Sequence, residues 1–140
     1  MGKKKNKPQI KEVDKFNDLD RGKIEKPKYP IFSFRYLQDT SIRNSTDTDF
    51  FIKFLLRLQK LSELGWNEIR NSAKHQFGTE KIKISDIKPK NHPRVITPEV
   101  EKLTVFRANG DNRPFLGIEE NGIFHIIYIE AKFNDIYDHS

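Results

Sequence analysis

The chain is 140 residues long, with 35% hydrophobic and 33% charged residues, a net charge of +6 and no cysteine. That length allows one domain with a real core, and the balance predicts a compact core carrying a solvated extension. Disulfides and thiolate metal sites are excluded, and no apolar run approaches the roughly 20 residues that cross a bilayer.

The charge sits mostly at the start. Residues 1–28 hold ten Lys or Arg against five acids, and the rest of the chain sixteen against fifteen. The opening MGKKKNK offers no apolar signal-peptide region, so a cytoplasmic location is expected. Ile10, Val13 and Phe16 fall at a roughly helical spacing but are too few for a core. Residues 1–28 are therefore expected as a disordered basic arm, which either attracts phosphates or only keeps the chain soluble. A single α+β domain is expected over 29–140.

Ile31 to Leu37 reads as a strand with Phe32, Phe34 and Tyr36 on one face. The polar stretch 38–47 is a loop that supplies a helix N-cap from Thr46, Asp47 or Thr48. From Phe50 to Leu61 the spacing predicts a helix whose stripe is Phe51, Phe54, Leu55, Leu58 and Leu61. A second helix is predicted from Trp66 to about Phe77, with Gly78 as its C-terminal cap, so that the two form an antiparallel hairpin. His75, near that end, has the ordinary role of favouring the helix dipole. Lys81 to Ile87 alternates as a short edge strand, and Pro89, Pro93 and Pro98 prevent a longer one. Lys88, Lys90, His92 and Arg94 make this connection basic, so Lys88, Lys90 and Arg94 are candidates for contact with a phosphate backbone.

The last third predicts an antiparallel meander. Leu103–Arg107, Arg113–Ile118 and Ile123–Glu130 are separated by turns containing Asn109-Gly110 and Asn121-Gly122, which supply the positive φ angles of tight hairpins. Pro114 marks the middle run as an edge or bulged strand. The third run is apolar on both faces, which places it centrally, with His125, Ile127 and Ile129 opposite Phe124, Ile126 and Tyr128. Helices are expected on one side of it and other chain on the second. The four histidines show no metal-ligand spacing, and neither a metal nor a cofactor is expected.

Gly110-Asp111-Asn112-Arg113, the apolar runs 115–118 and 124–129, Lys132 and Ile136-Tyr137 resemble the C-terminal pattern of the RelE/ParE-like toxin superfamily. The order of strand, two helices and sheet extends the resemblance to about residues 31–139. It implies a helical hairpin packed on a curved antiparallel sheet. It also implies a toxin of a toxin–antitoxin pair, a metal-independent endoribonuclease that cleaves messenger RNA, usually on the ribosome, and is neutralised by a cognate antitoxin protein. In that reaction the ribose 2′-OH attacks the adjacent phosphate, which needs a proton acceptor, positive charge on the phosphate and a donor to the leaving 5′-oxygen.

By position in the motif, Arg113 would hold the transition state with its forked guanidinium. Tyr137 would stack a base or position a phosphate, and Lys132 would stand where the family has a histidine or another basic residue. His125 or His139 would serve as the neutral-pH proton carrier, and Arg107, across the first turn, would contact substrate. The competing readings are a non-catalytic plasmid- or phage-type module binding protein or nucleic acid on the same scaffold, and a gyrase-directed ParE-like relative that needs no catalytic set.

Overall fold

The computed structural model describes residues 27–73, 76–108 and 113–139. The basic arm up to residue 26, His75 and the turn 109–112 with its Asn-Gly pair lie outside the described residues. The elements are β1 (Ile31–Ser33), α1 (Thr48–Glu63), α2 (Trp66–Asn71), β2 (Glu80–Lys83), β3 (Lys102–Arg107), β4 (Pro114–Glu120) and β5 (Ile123–Ile129). They build one α+β unit around a five-stranded sheet of order β1-β5-β4-β3-β2.

The sheet is mixed, which corrects the antiparallel expectation. Strands β2 to β5 pair antiparallel, but β1 runs parallel to β5, with Phe32 opposite Phe124. The helices intervene between β1 and the meander, so β1 returns to the far edge of the sheet rather than forming a hairpin with its neighbour. β1 is also shorter than expected, because a turn bond from Leu37 N–H to Phe34 O ends it. Phe32 consequently joins the helix-side core while Tyr36 packs on the opposite side of the sheet.

Asp47 caps α1, its carboxylate accepting the Phe50 N–H at 3.0 Å. The buried stripe is Phe50, Phe54, Leu58 and Leu61, while Leu55, expected inside, is 67% exposed. Phe50-Phe51 and Phe54-Leu55 are adjacent apolar pairs, so periodicity alone allows either register, and packing against the sheet decides between them. Trp66 anchors α2: its N–H donates to Lys28 O at 2.9 Å and its indole N–H to Gly122 O at 3.2 Å. The second helix stops at Asn71, well before Phe77, because the Ser72 hydroxyl accepts the Phe77 N–H, and the N–H groups of Gln76 and Gly78 both return to Ala73 O. A long helical hairpin is therefore replaced by one long helix and a short one.

Both faces of the sheet are covered. Phe50, Phe54, Trp66 and Ile69 pack with Phe106, Phe115, Phe124 and Ile129 on one face. On the other, Ile87, Ile136 and Tyr137 cover Leu103, Val105, Leu116, Ile127 and Tyr128. The proline-bearing segment after β2 and the residues after β5 supply this second cover, which explains why β5 reads apolar throughout.

β4 is central, not an edge, and Pro114 is its first residue, where no ladder bond is lost inside the strand. The irregularity lies further on: Leu116 pairs with Tyr128 and Gly117 with Ile126, so Ile127 is an extra residue on β5. This bulge puts Ile127 and Tyr128 together in the second core and returns Ile129 to the helix side with Phe124 and Ile126. The simple alternation predicted for β5 fails there. Among the described residues no helix is long and apolar enough to cross a membrane.

Candidate functional site

Arg113 lies just before β4, where its carbonyl accepts the Ala108 N–H and continues the β3–β4 pairing. Its guanidinium donates to Asp47 Oδ2 at 2.9 Å and to Ala131 O at 3.1 Å, and lies 4.2 Å from the Phe50 ring centroid. One aspartate thus caps α1 and holds the arginine. The Arg113 hydrogen bond, and then the Phe50 N–H, hold the Asp47 carboxyl below its ordinary value of 3.8.

These groups form one end of a cleft of about 920 Å³ between the loop 39–47 and the turn 131–135. The turn is fastened to the loop by Lys132 N–H donating to Ser41 Oγ at 3.0 Å. Lys132 and Phe133 line the opening; Phe133 is 43% exposed, and the Lys132 ammonium has no ion pair among the described residues. Arg43 is paired with Asp39 on the same wall. Three cations (Arg43, Arg113 and Lys132) face three carboxylates (Asp39, Asp47 and Asp135), so the cleft carries directional hydrogen-bond donors without a net positive field.

The other candidates go elsewhere, so the nine residues do not share one patch. Arg107, Tyr137 and His139 belong to a buried polar network on the second face. Arg107, 8% exposed, pairs with Glu80 at 2.7 Å, and both charges act on the Tyr137 phenol. Burial first, then the Glu80 charge, pushes the Tyr137 phenol up to about 12. Glu130 Oε1 accepts from His139 Nε2 at 2.6 Å, and Oε2 accepts the N–H groups of Ile136 and Tyr137 at 2.9 and 3.3 Å. The Tyr137 and His139 rings stack at 4.1 Å, and Phe133 covers His139 at 4.3 Å.

His125 faces the second side nearer the other end of β5, against the Tyr36 ring, with Nε2 3.4 Å from Glu120 Oε1 and a buried Nδ1 that has no partner. Lys88 holds Asn134 O and Asp138, and Lys90 holds Ile87 O and Ser85 O, so both act as ties for local chain. Arg94 makes no such tie.

Sequence reasoning missed the wall contributed by 39–47, which reads only as polar loop, and the roles of Phe133 and Glu130. An acid closing the most apolar strand was the available signal for Glu130. Nothing local marks Ser41, 91 positions from its partner. The His92–Tyr128 hydrogen bond at 2.7 Å is of the same long-range kind.

Comparison with known families, curated proteins and solved structures finds no match for this chain.

Proposed function

We propose that the chain is a RelE-like domain of a toxin–antitoxin pair that binds single-stranded RNA in the cleft between 39–47 and 131–135. The observation that carries this reading is the grouping of Arg113, Lys132 and the exposed Phe133 ring on one cleft. Cations that meet the backbone beside an aromatic platform that takes a base are the minimal equipment for single strands. The order of a strand, two helices and then the sheet supports the RelE-like assignment. An exposed apolar strip of Ile31, Ile52, Leu55 and Leu56 supports a protein partner such as an antitoxin.

Because the cleft is balanced in charge, stacking and directional donors carry its affinity. In a fluorescence-anisotropy titration with a short single-stranded RNA, Phe133→Ala weakens binding about tenfold, the loss of one stacked base, and Lys132→Ala weakens it severalfold. Both side chains reach solvent, so neither change disturbs the core. Unchanged affinity in both variants overturns the proposal.

One contact favours the endoribonuclease form of this reading: Phe133 lines the cleft and lies against His139, one ring from the Tyr137–His139 stack. In that form the 2′-oxygen bonds to phosphorus as the P–O5′ bond breaks, leaving a cyclic phosphate and a 5′-hydroxyl. Incubation of RNA with the protein and a chelator tests it: cyclic-phosphate ends that vanish in a His139→Ala variant still folded by circular dichroism support cleavage. Binding without such ends identifies a non-catalytic RNA-binding module.

A further inference from the structure

A second cleft, of about 650 Å³, lies on the side of the sheet away from α1, between the segment after β1 and residues 93–97. Arg35, Tyr36 and Gln38 form one wall, Arg94 and Thr97 the other, and Glu120 closes an end. The state of the arginines singles it out. Of the seven described, Arg43, Arg107 and Arg113 hold carboxylates, Arg57 holds the Gln76 carbonyl and Arg70 the Asn67 amide oxygen. Among the described residues only the Arg35 and Arg94 guanidiniums have no hydrogen-bond acceptor, Arg35 lying over the Tyr36 ring at 5.5 Å, and both line this cleft.

The single carboxylate present, Glu120, is directed to His125 at 3.4 Å. His125 sits behind the Tyr36 ring at 5.1 Å and keeps an unpartnered, buried Nδ1. Two guanidiniums without an acceptor across a concave site of ligand size suit an anion that accepts several hydrogen bonds at once.

We infer that the cleft between Arg35 and Arg94 is a phosphate-binding site. The two forks take separate oxygens of one phosphate, and the remaining volume admits the nucleoside attached to it. The site is separate from the Arg113–Lys132 cleft and does not depend on the RNA reading made for that cleft. The phosphate belongs either to a free mononucleotide or to an RNA strand, and its recognition chemistry is the same in both.

The test is calorimetric and uses the full chain, with inorganic phosphate and adenosine monophosphate as probes. Arg35→Ala and Arg94→Ala each weaken phosphate binding at least tenfold, while Lys60→Ala, an exposed lysine of α1, leaves it unchanged. Circular dichroism checks that the exposed substitutions leave the fold intact, and Arg94→Lys, which keeps the charge but not the fork, gives a partial loss. Displacement of bound phosphate by a short RNA assigns the source to RNA. Tighter binding of the mononucleotide without displacement by RNA assigns it to a free nucleotide. Either result supports the site. No phosphate binding at millimolar concentration, or equal binding by the Arg35→Ala/Arg94→Ala double variant, overturns it, and neither result bears on Phe133-dependent RNA affinity.

Discussion

At the C-terminal end of β5, Glu130 is fully buried. It is tolerated because both oxygens are used, one by His139 and the other by two backbone N–H groups of the chain that folds over the second face. Removing one member of such a set leaves buried donors unmatched, which costs more than the set contributes as a whole. Glu130→Ala therefore lowers the unfolding free energy by about 3 kcal/mol in urea titrations, and a loss below about 1 kcal/mol contradicts the assigned role. Tyr137, packed beside it, gives a prediction in pH. Its folded-state value of about 12 exceeds the ordinary 10.0, so the native state holds the phenolic proton more tightly than the unfolded chain. The associated stability is whole below pH 10 and is lost as pH rises towards 12. Stability measured across that window declines in the parent and is flatter in Tyr137→Phe.

Among the elements, β5 determines the most. Its extra residue, Ile127, changes which face the second half of the strand addresses, and places Tyr128 where its hydroxyl meets His92. The partner strand permits this only because residue 117 lacks a side chain: a Cβ there would lie 1.9 Å from the His125 carbonyl oxygen. Gly117→Ala therefore forces β4 and β5 apart and costs about 3 kcal/mol or more in thermal or urea unfolding. Gly65→Ala is the control, since a Cβ at 65 meets its nearest neighbour at 3.6 Å, an ordinary contact. Equal stability of the two variants would mean that the bulge does not depend on glycine. The turn between these strands is made by Asn121 and Gly122, both at positive φ, as their dipeptide predicts.

For the whole molecule, the distribution of charge separates attraction from recognition. Ten of the 26 basic residues fall in 1–28, and everything after them is nearly neutral. On the proposed RNA-binding reading, deleting residues 1–26 flattens the dependence of RNA affinity on salt, whereas Phe133→Ala lowers affinity at every salt concentration with the slope unchanged. An unchanged slope after the deletion would place the phosphate contacts within the folded part.

What the sequence determined by itself was everything set by neighbours along the chain: a polar N-cap for α1 within 46–48, the Asn121-Gly122 turn, the strand-rich last third and the need for cover on both faces of β5. The register of α1 and the departure from alternation along β5 were decided by contacts between distant residues. The same holds for the site. Arg113 and Lys132 could be named from a motif, but their cleft exists only because Ser41 and Asp47 reach them across 91 and 66 positions. Tyr137, His139 and Arg107, equally eligible in the sequence, were drawn into a buried network by Glu130 and Glu80. Hydrogen-bond partners for buried charges are chosen in three dimensions, and a linear pattern carries no record of that choice.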